Sequence, residues 1–242
     1  MSCYGHLAAW YDQLTGDVPY GEFADYYEAE FRRCGGEFHL LLDLCCGTGT
    51  LTCELTRRGY ELIAVDASVD MLMQAQQKAA QLDPFPLFLC QQAGQLDLYG
   101  TVDAAYCSLD GMNYIQRADL PELFHRLRLF IRPGGLLIFD IRSPEWFSAM
   151  DGQIYVDEQE DVLCLWRAEL SEDRASVSYG MDIFSRVGEL WQRDNEEHTE
   201  YVYSFDALKA LLEKEAFTDI TLRTDGPQGD VGRQFIVAKR GL

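Results

Sequence analysis

Positive charge is scarce in this chain of 242 residues: 20 Lys and Arg stand against 40 Asp and Glu, for a formal charge of −20. A surface that acidic repels phosphate backbones, and binding a nucleic acid requires Lys and Arg to displace its counterions. RNA and DNA are therefore disfavoured as substrates. No apolar run approaches the length of a membrane span, and no basic segment followed by an apolar core opens the chain. The expected setting is cytoplasmic, with no membrane partner. The eight cysteines, at 3, 34, 45, 46, 53, 90, 107 and 164, include no C-x-x-C pair and have no histidine at metal-ligand spacing. They read as reduced core residues, and no metal site is expected. Internal repeats and low-complexity linkers are also missing, so the length suits one α/β domain carrying an insertion.

What the chain does have is an apolar run from Leu40 ending in Asp43-Leu44-Cys45-Cys46-Gly47-Thr48-Gly49, followed at once by a helical pattern. This predicts a buried strand turning tightly into a helix. Gly47 and Gly49 let backbone approach a ligand without Cβ interference, and the helix start offers unpaired N–H groups. The next strand, Glu61 to Val65, ends at Asp66, nineteen positions after Gly47. A carboxylate at that strand tip accepts ribose hydroxyls in dinucleotide folds. The dinucleotide fingerprint itself fails, because Thr52 stands where its third glycine belongs.

Helix and strand patterns alternate in the order that builds a parallel sheet. The predicted elements are a helix Thr50 to Arg58 closed by Gly59, a helix capped by Ser68, strands Leu87 to Cys90 and Val102 to Cys107, and a helix Leu120 to Ile131 with Pro121 in its first turn. Pro133-Gly134-Gly135 predicts a turn before a buried strand Leu136 to Phe139 that ends in Asp140. Beyond it, residues 153 to 203 read as short antiparallel strands carrying Tyr155, Trp166, Tyr179, Phe184, Trp191, Tyr201 and Tyr203. A helix Phe205 to Glu215 capped by Ser204, and strands Ile220 to Arg223 and Gln234 to Lys239, close the chain.

The strand-turn-helix with Asp43, Gly47 and Gly49, the acid at Asp66, the Arg132-Pro133-Gly134-Gly135 segment and the closing strand pair resemble the class I S-adenosylmethionine-dependent methyltransferases over about two-thirds of the chain. That family usually has glycine where Cys45 stands and an acid where Gln92 stands. The resemblance implies a Rossmann-like seven-stranded, mostly parallel sheet flanked by helices, with a small antiparallel β insertion. Residues 1–36 would form a helical cover, 37–141 and 204–242 the core, and 142–203 a lid over the carboxyl ends of the strands, where open α/β sheets bind ligands.

It also implies the site. Asp43, Cys45, Cys46, Gly47, Gly49, Asp66, Ala67 and Met71 would hold the methionine and ribose ends of S-adenosylmethionine, and Gln92 and Ala93 the adenine. Cys107 and Ser108 would pass beneath the sulfonium by backbone. The N-terminal segment, with Tyr4, Trp10, Tyr11 and Tyr20, resembles the cover laid across the cofactor, in which Tyr11 or Tyr20 bonds its carboxylate or packs on its sulfonium side; ordinary docking of an amphipathic helix explains the same residues. Asp110 either orients an amine or hydroxyl of the acceptor or caps the next turn. Asn113, Tyr114 and Tyr203 would face the substrate. His198, flanked by Glu196 and Glu200, is either a general base or part of a solvated strand face.

The function so implied is in-line methyl transfer to the nitrogen or oxygen of a small molecule, with S-adenosylmethionine as cofactor. Cys45 and Gln92 leave open a catalytically silent S-adenosylmethionine-binding module that acts through partners, and the missing third glycine weighs against an NAD-dependent oxidoreductase.

Overall fold

The computed structural model describes residues 5–227 and 232–242, so Cys3 and Tyr4 lie outside the described residues. Helices α1 (Tyr11–Leu14) and α2 (Tyr20–Cys34) lead into strand β1 (Leu40–Leu44). Helix α3 (Thr50–Arg57), β2 (Glu61–Asp66), α4 (Val69–Ala79) and β3 (Leu87–Cys90) form one side of the sheet. Strand β4 (Val102–Cys107), α5 (Leu120–Phe130), β5 (Ile131–Arg142) and α6 (Pro144–Met150) follow. Four strands come next, β6 (Ile154–Glu158), β7 (Val162–Leu170), β8 (Ser176–Val187) and β9 (Leu190–Tyr201), and then α7 (Phe205–Lys214), β10 (Phe217–Arg223) and β11 (Arg233–Arg240).

The main sheet is ordered β10-β11-β5-β4-β1-β2-β3, with β1 to β5 parallel and β11 antiparallel to both of its neighbours. The chain order reverses between β1 and β4, which opens a crevice at the carboxyl ends of those strands. Near-continuous apolar runs make the central strands fit for burial on both faces. Leu123, Phe124 and Leu127 of α5 and Leu208 and Leu212 of α7 cover one face, and Phe23, Tyr27 and Phe31 of α2 with Leu51 and Leu55 of α3 cover the other.

The second sheet runs β6-β7-β8-β9, antiparallel throughout. Val162, Cys164 and Ile183 on it pack against Leu7, with Trp10, Tyr11 and Leu14 alongside. Ala168, Val177 and Tyr179 pack on Phe147 and Met150 of α6. The sequence reading missed α6, although Ser143 caps it through Trp146 N at 3.1 Å and Pro144 stands at its first position.

Another expectation is corrected here. Pro133-Gly134-Gly135 does not separate a turn from a strand; it is a bulge inside β5, where pairing with β4 jumps from Val102↔Ile131 to Ala104↔Leu136. Strand pairing resumes across the irregularity because a glycine lets the two backbones close up: a Cβ on Gly135 would lie 2.4 Å from the Asp103 carbonyl oxygen. Helix α5 accordingly stops at Phe130, one residue short of the predicted end. Among the described residues, no helix is long and apolar enough to cross a membrane, and no group of three or more His, Cys, Asp or Glu is placed to hold a metal ion.

Since the Asp103 carbonyl is fixed backbone, Gly135→Ala should lower stability by about 2 kcal/mol or more, read from the midpoint of urea unfolding. A variant as stable as wild type would show that the bulge can yield.

Candidate active site

The turn after β1 is built from left-handed backbone: Cys45 has φ 58°, Gly47 φ 54° and Gly49 φ 70°. Gly47 has nothing near its Cβ direction, so its glycine is required for conformation alone, whereas a Cβ on Gly49 would come 2.8 Å from the Ala75 Cβ of α4. Gly49 thus serves helix packing and stands back from the cavity, while Gly47 lines it. The left-handed angle at Cys45 gives the physical reason a glycine suits that position; a side chain there costs about 1–2 kcal/mol.

Asp66, at the end of β2, accepts the Gly47 N–H on one oxygen and the Ser68 N–H on the other, both at 2.8 Å. Burial pushes its carboxyl above the ordinary range, against the pull of these N–H groups. Each oxygen keeps a lone pair for a hydroxyl. Asp43, at the end of β1, is buried and accepts from the Thr52 hydroxyl at 2.5 Å. Burial pushes its carboxyl up to about 7, with the Thr52 and Tyr106 hydroxyls opposing.

These residues wall a cavity of about 990 Å³ lined by Asp43, Cys45, Cys46, Gly47, Asp66, Ala67, Met71, Gln92, Ala93 and Ser108, with Tyr11 and Tyr20 across from them. Gln91 also borders it, but its side-chain amide folds back onto the Asp97 backbone. Cys107 is fully buried and does not line the cavity; its thiol lies against that of Cys45, which together with burial raises it. The N-terminal cover is fastened to the glycine turn by Asp12, which accepts from Thr48 at 2.6 Å and pairs with Lys78 of α4 at 2.7 Å. Lys78 carried no signal in the sequence, since nothing in a helical pattern shows which distant loop its ammonium will reach.

A second cavity, of about 280 Å³, lies between the cover, the antiparallel sheet and the tips of β4, β5 and β11. Tyr11, Leu109 and Tyr114 border both cavities. Asp110, with φ 57°, makes no capping bond; its carboxylate meets Arg233 Nη1 at 2.7 Å and Arg142 Nε at 3.6 Å and lines the smaller cavity. Of its two readings, the structure therefore removes the cap.

Three residues expected at the substrate or the chemistry sit elsewhere. Asn113 is fully buried, donating to the Tyr201 carbonyl and accepting from the Arg142 N–H, and so bolts β9 to β5. The Tyr203 hydroxyl donates to the Ile115 carbonyl, also inside the protein. His198 lines neither cavity. Its Nε2 is 2.9 Å from Glu196, whose other oxygen accepts the His6 and Leu7 N–H groups, and its ring meets Tyr114 edge-on. Burial works to raise the Glu196 carboxyl, but these hydrogen bonds outweigh it and hold the group low. The face bearing Glu196, His198 and Glu200 is turned inward, because the second sheet folds back on the cover and the core; the solvated-face reading is corrected.

Sequence reasoning did not single out Glu200, Arg142 or Arg233. Arg233 stands beside the apolar run of β11 and is almost wholly buried, a conflict that is visible only when the strand is known to be central.

Comparison with known proteins agrees with this geometry. The sequence profile of a methyltransferase domain matches residues 41–135. The methyltransferase-family protein YqeM of Bacillus subtilis is 30% identical over 217 residues, covering 88% of this chain and 86% of that protein. The chain belongs to the S-adenosylmethionine-dependent methyltransferase family. The crystal structure of an S-adenosylmethionine-dependent methyltransferase from Clostridium acetobutylicum superposes on this methyltransferase with a TM-score of 0.85 at 28% identity, over 99% of each chain. The sugar N-methyltransferase KedS8 from Streptoalloteichus shares the fold, with a TM-score of 0.79 at 20% identity over 92% of this chain and 88% of its own. Family membership does not favour the oxidoreductase alternative.

The raised Asp43 carboxyl has a consequence for stability. An unfolded aspartate releases its proton near 3.8, whereas the folded one keeps it to about 7. The folded state therefore binds the extra proton between those values, and this contribution to stability is lost as pH rises from about 4 to 7. Thermal melts of wild type and Asp43→Asn across that range should show wild type losing stability relative to the variant; parallel curves would mean that Asp43 ionises normally.

Proposed function

We propose that this methyltransferase transfers the methyl group of S-adenosylmethionine in line to a nitrogen or oxygen of a small molecule held in the smaller cavity. The observation that supports this reading most is the junction at Tyr11, Leu109 and Tyr114, where a cofactor-sized chamber meets a smaller, acceptor-sized one. The residues present fit the cofactor. Asp66, fixed by two backbone N–H groups, retains lone pairs for ribose hydroxyls, the Cys46-Gly47 backbone is open to the methionine end, and Gln92 borders the adenine end with an amide oxygen where the family usually has an acid. When bound, the cofactor supplies a methyl group on a positive sulfonium with a good leaving group. The protein's own task is then alignment, and holding two reactants in near-attack geometry is worth much of the barrier.

Size supports a small acceptor. The smaller cavity stands at the lower end of ligand pockets, which run about 300–1,000 Å³, and it is walled by Trp146, Trp166 and Tyr179. KedS8, a sugar N-methyltransferase, and CalS10 from Micromonospora echinaspora, an amino pentose methyltransferase, are built on the same fold. The charge of −20 keeps nucleic acids disfavoured as acceptors.

Calorimetric titration with S-adenosylmethionine and S-adenosylhomocysteine tests the cofactor half of the proposal. Both should bind wild type, and Asp66→Ala should weaken each by on the order of tenfold or more, since hydrogen bonds to a charged group are worth about 1.5–3 kcal/mol. Failure of wild type to bind either would overturn the reading. Binding without methyl transfer to any small amine or alcohol would leave the non-catalytic module as the answer.

A further inference from the structure

The smaller cavity contains a carboxyl group with no ion partner among the described residues. Glu200 is 4% exposed, its Oε2 has no hydrogen-bond partner, and it forms no ion pair among the described residues. The guanidinium groups nearby are engaged with other groups. Arg233 lies between Asp110, at 2.7 Å, and Asp140, while Arg142 reaches toward Asp110 at 3.6 Å and stacks 4.4 Å over the Trp146 ring. Among the described residues, Arg233 and Arg142 are thus engaged by Asp110, Asp140 and the Trp146 ring, and Glu200 is left without an ion partner.

Position on the sheet adds to this. Tyr179 stands opposite His198 in the β8–β9 register, which puts it diagonal to Glu200 on the same face. Its hydroxyl is also buried and without a partner. Burial first, and then the Glu200 carboxylate, raise the Tyr179 phenol, so it remains a neutral donor and acceptor. Glu200 and Tyr179 both line the smaller cavity, beside Tyr114 at the junction with the larger one.

Resting on the function proposed above, we infer that the acceptor is an amine, and that Glu200, assisted by Tyr179, receives its ammonium group in the smaller cavity. An ammonium brings a positive charge to Glu200 and donates to both orphaned oxygens, whereas a hydroxyl brings no charge to the carboxylate. The aromatic walls favour a cation as well. An anionic acceptor would have to compete with Asp110 and Asp140 for guanidinium groups already in use. Burial, with Asp110 adding, pushes the Glu200 carboxyl well above its usual range, opposed by the Tyr114 hydroxyl and by Arg142 and Arg233. Such a group readily takes the proton that an ammonium must lose before its nitrogen can attack: the proton passes from nitrogen to the carboxylate, leaving a neutral amine and a neutral carboxyl.

The test sets cyclohexylamine and benzylamine against cyclohexanol and benzyl alcohol, with wild type and Glu200→Gln. Methyl transfer is followed with S-adenosylmethionine, and binding is measured by calorimetry on the S-adenosylhomocysteine complex. The expected result is that amines bind and are methylated while alcohols are not. Glu200→Gln should raise the amine KM about tenfold or more, with S-adenosylhomocysteine affinity unchanged. Because the substitution keeps the shape and removes a buried carboxyl that has no ion partner among the described residues, it should not lower the melting temperature at pH 8; a drop of several degrees would assign Glu200 to the fold and overturn the inference. Acceptance of the alcohols, an unchanged amine KM in Glu200→Gln, or no amine binding to a complex that holds S-adenosylhomocysteine would also overturn it. Loss of S-adenosylhomocysteine binding by wild type is a separate outcome and strikes the underlying functional reading.

Discussion

The cluster of half-buried Asp110 with buried Arg233 and Asp140 is the constraint on which the smaller cavity depends. Asp140, fully buried on β5, accepts the Leu109 and Asp110 N–H groups on its two oxygens, each at 2.9 Å, and so draws the tip of β4 over the sheet. Leu109 and Asp110 both take left-handed backbone to get there. Arg233, brought in by the antiparallel β11, meets Asp140 and then Asp110. Burying such a set gains little stability in itself, yet removing one member strands the others at a cost of about 3–5 kcal/mol. The geometry is therefore fixed, and with it the floor of the smaller cavity.

The roof is fixed by other means. Asp12 ties the N-terminal cover to the glycine turn and to Lys78, and Glu196 ties the same cover to the antiparallel sheet through the His6 and Leu7 N–H groups. Asn113 joins that sheet to β5. Each of these polar side chains links two elements distant in sequence, and together they enclose a space between two sheets that neither sheet could form alone. The cover accordingly borders both cavities at Tyr11, which makes it a shared wall between the proposed cofactor and acceptor sites.

Much of the lining of the larger cavity was legible because its signals are local. Gly47 and Gly49 announce left-handed turns, Asp66 follows at a spacing set by one helix and one strand, and Ser68 and Ser204 cap helices through N–H groups three residues away. The order of the parallel strands followed from the alternation of helix and strand. The Pro-Gly-Gly bulge was misjudged because turn residues look alike whether a strand ends or only kinks. His198 and its neighbours were misjudged for a different reason: alternation on a strand tells that 196, 198 and 200 share a face but not which way the face turns.

The sequence by itself determined the family, the main sheet and the left-handed glycine turn, since these rest on backbone conformation and short-range spacing. Only the tertiary structure decided which side chains meet in the smaller cavity. Asp110, Arg142, Glu200 and Arg233 come from four separate segments, and whether a buried charge is balanced or in surplus depends on distances between segments, which no local pattern encodes.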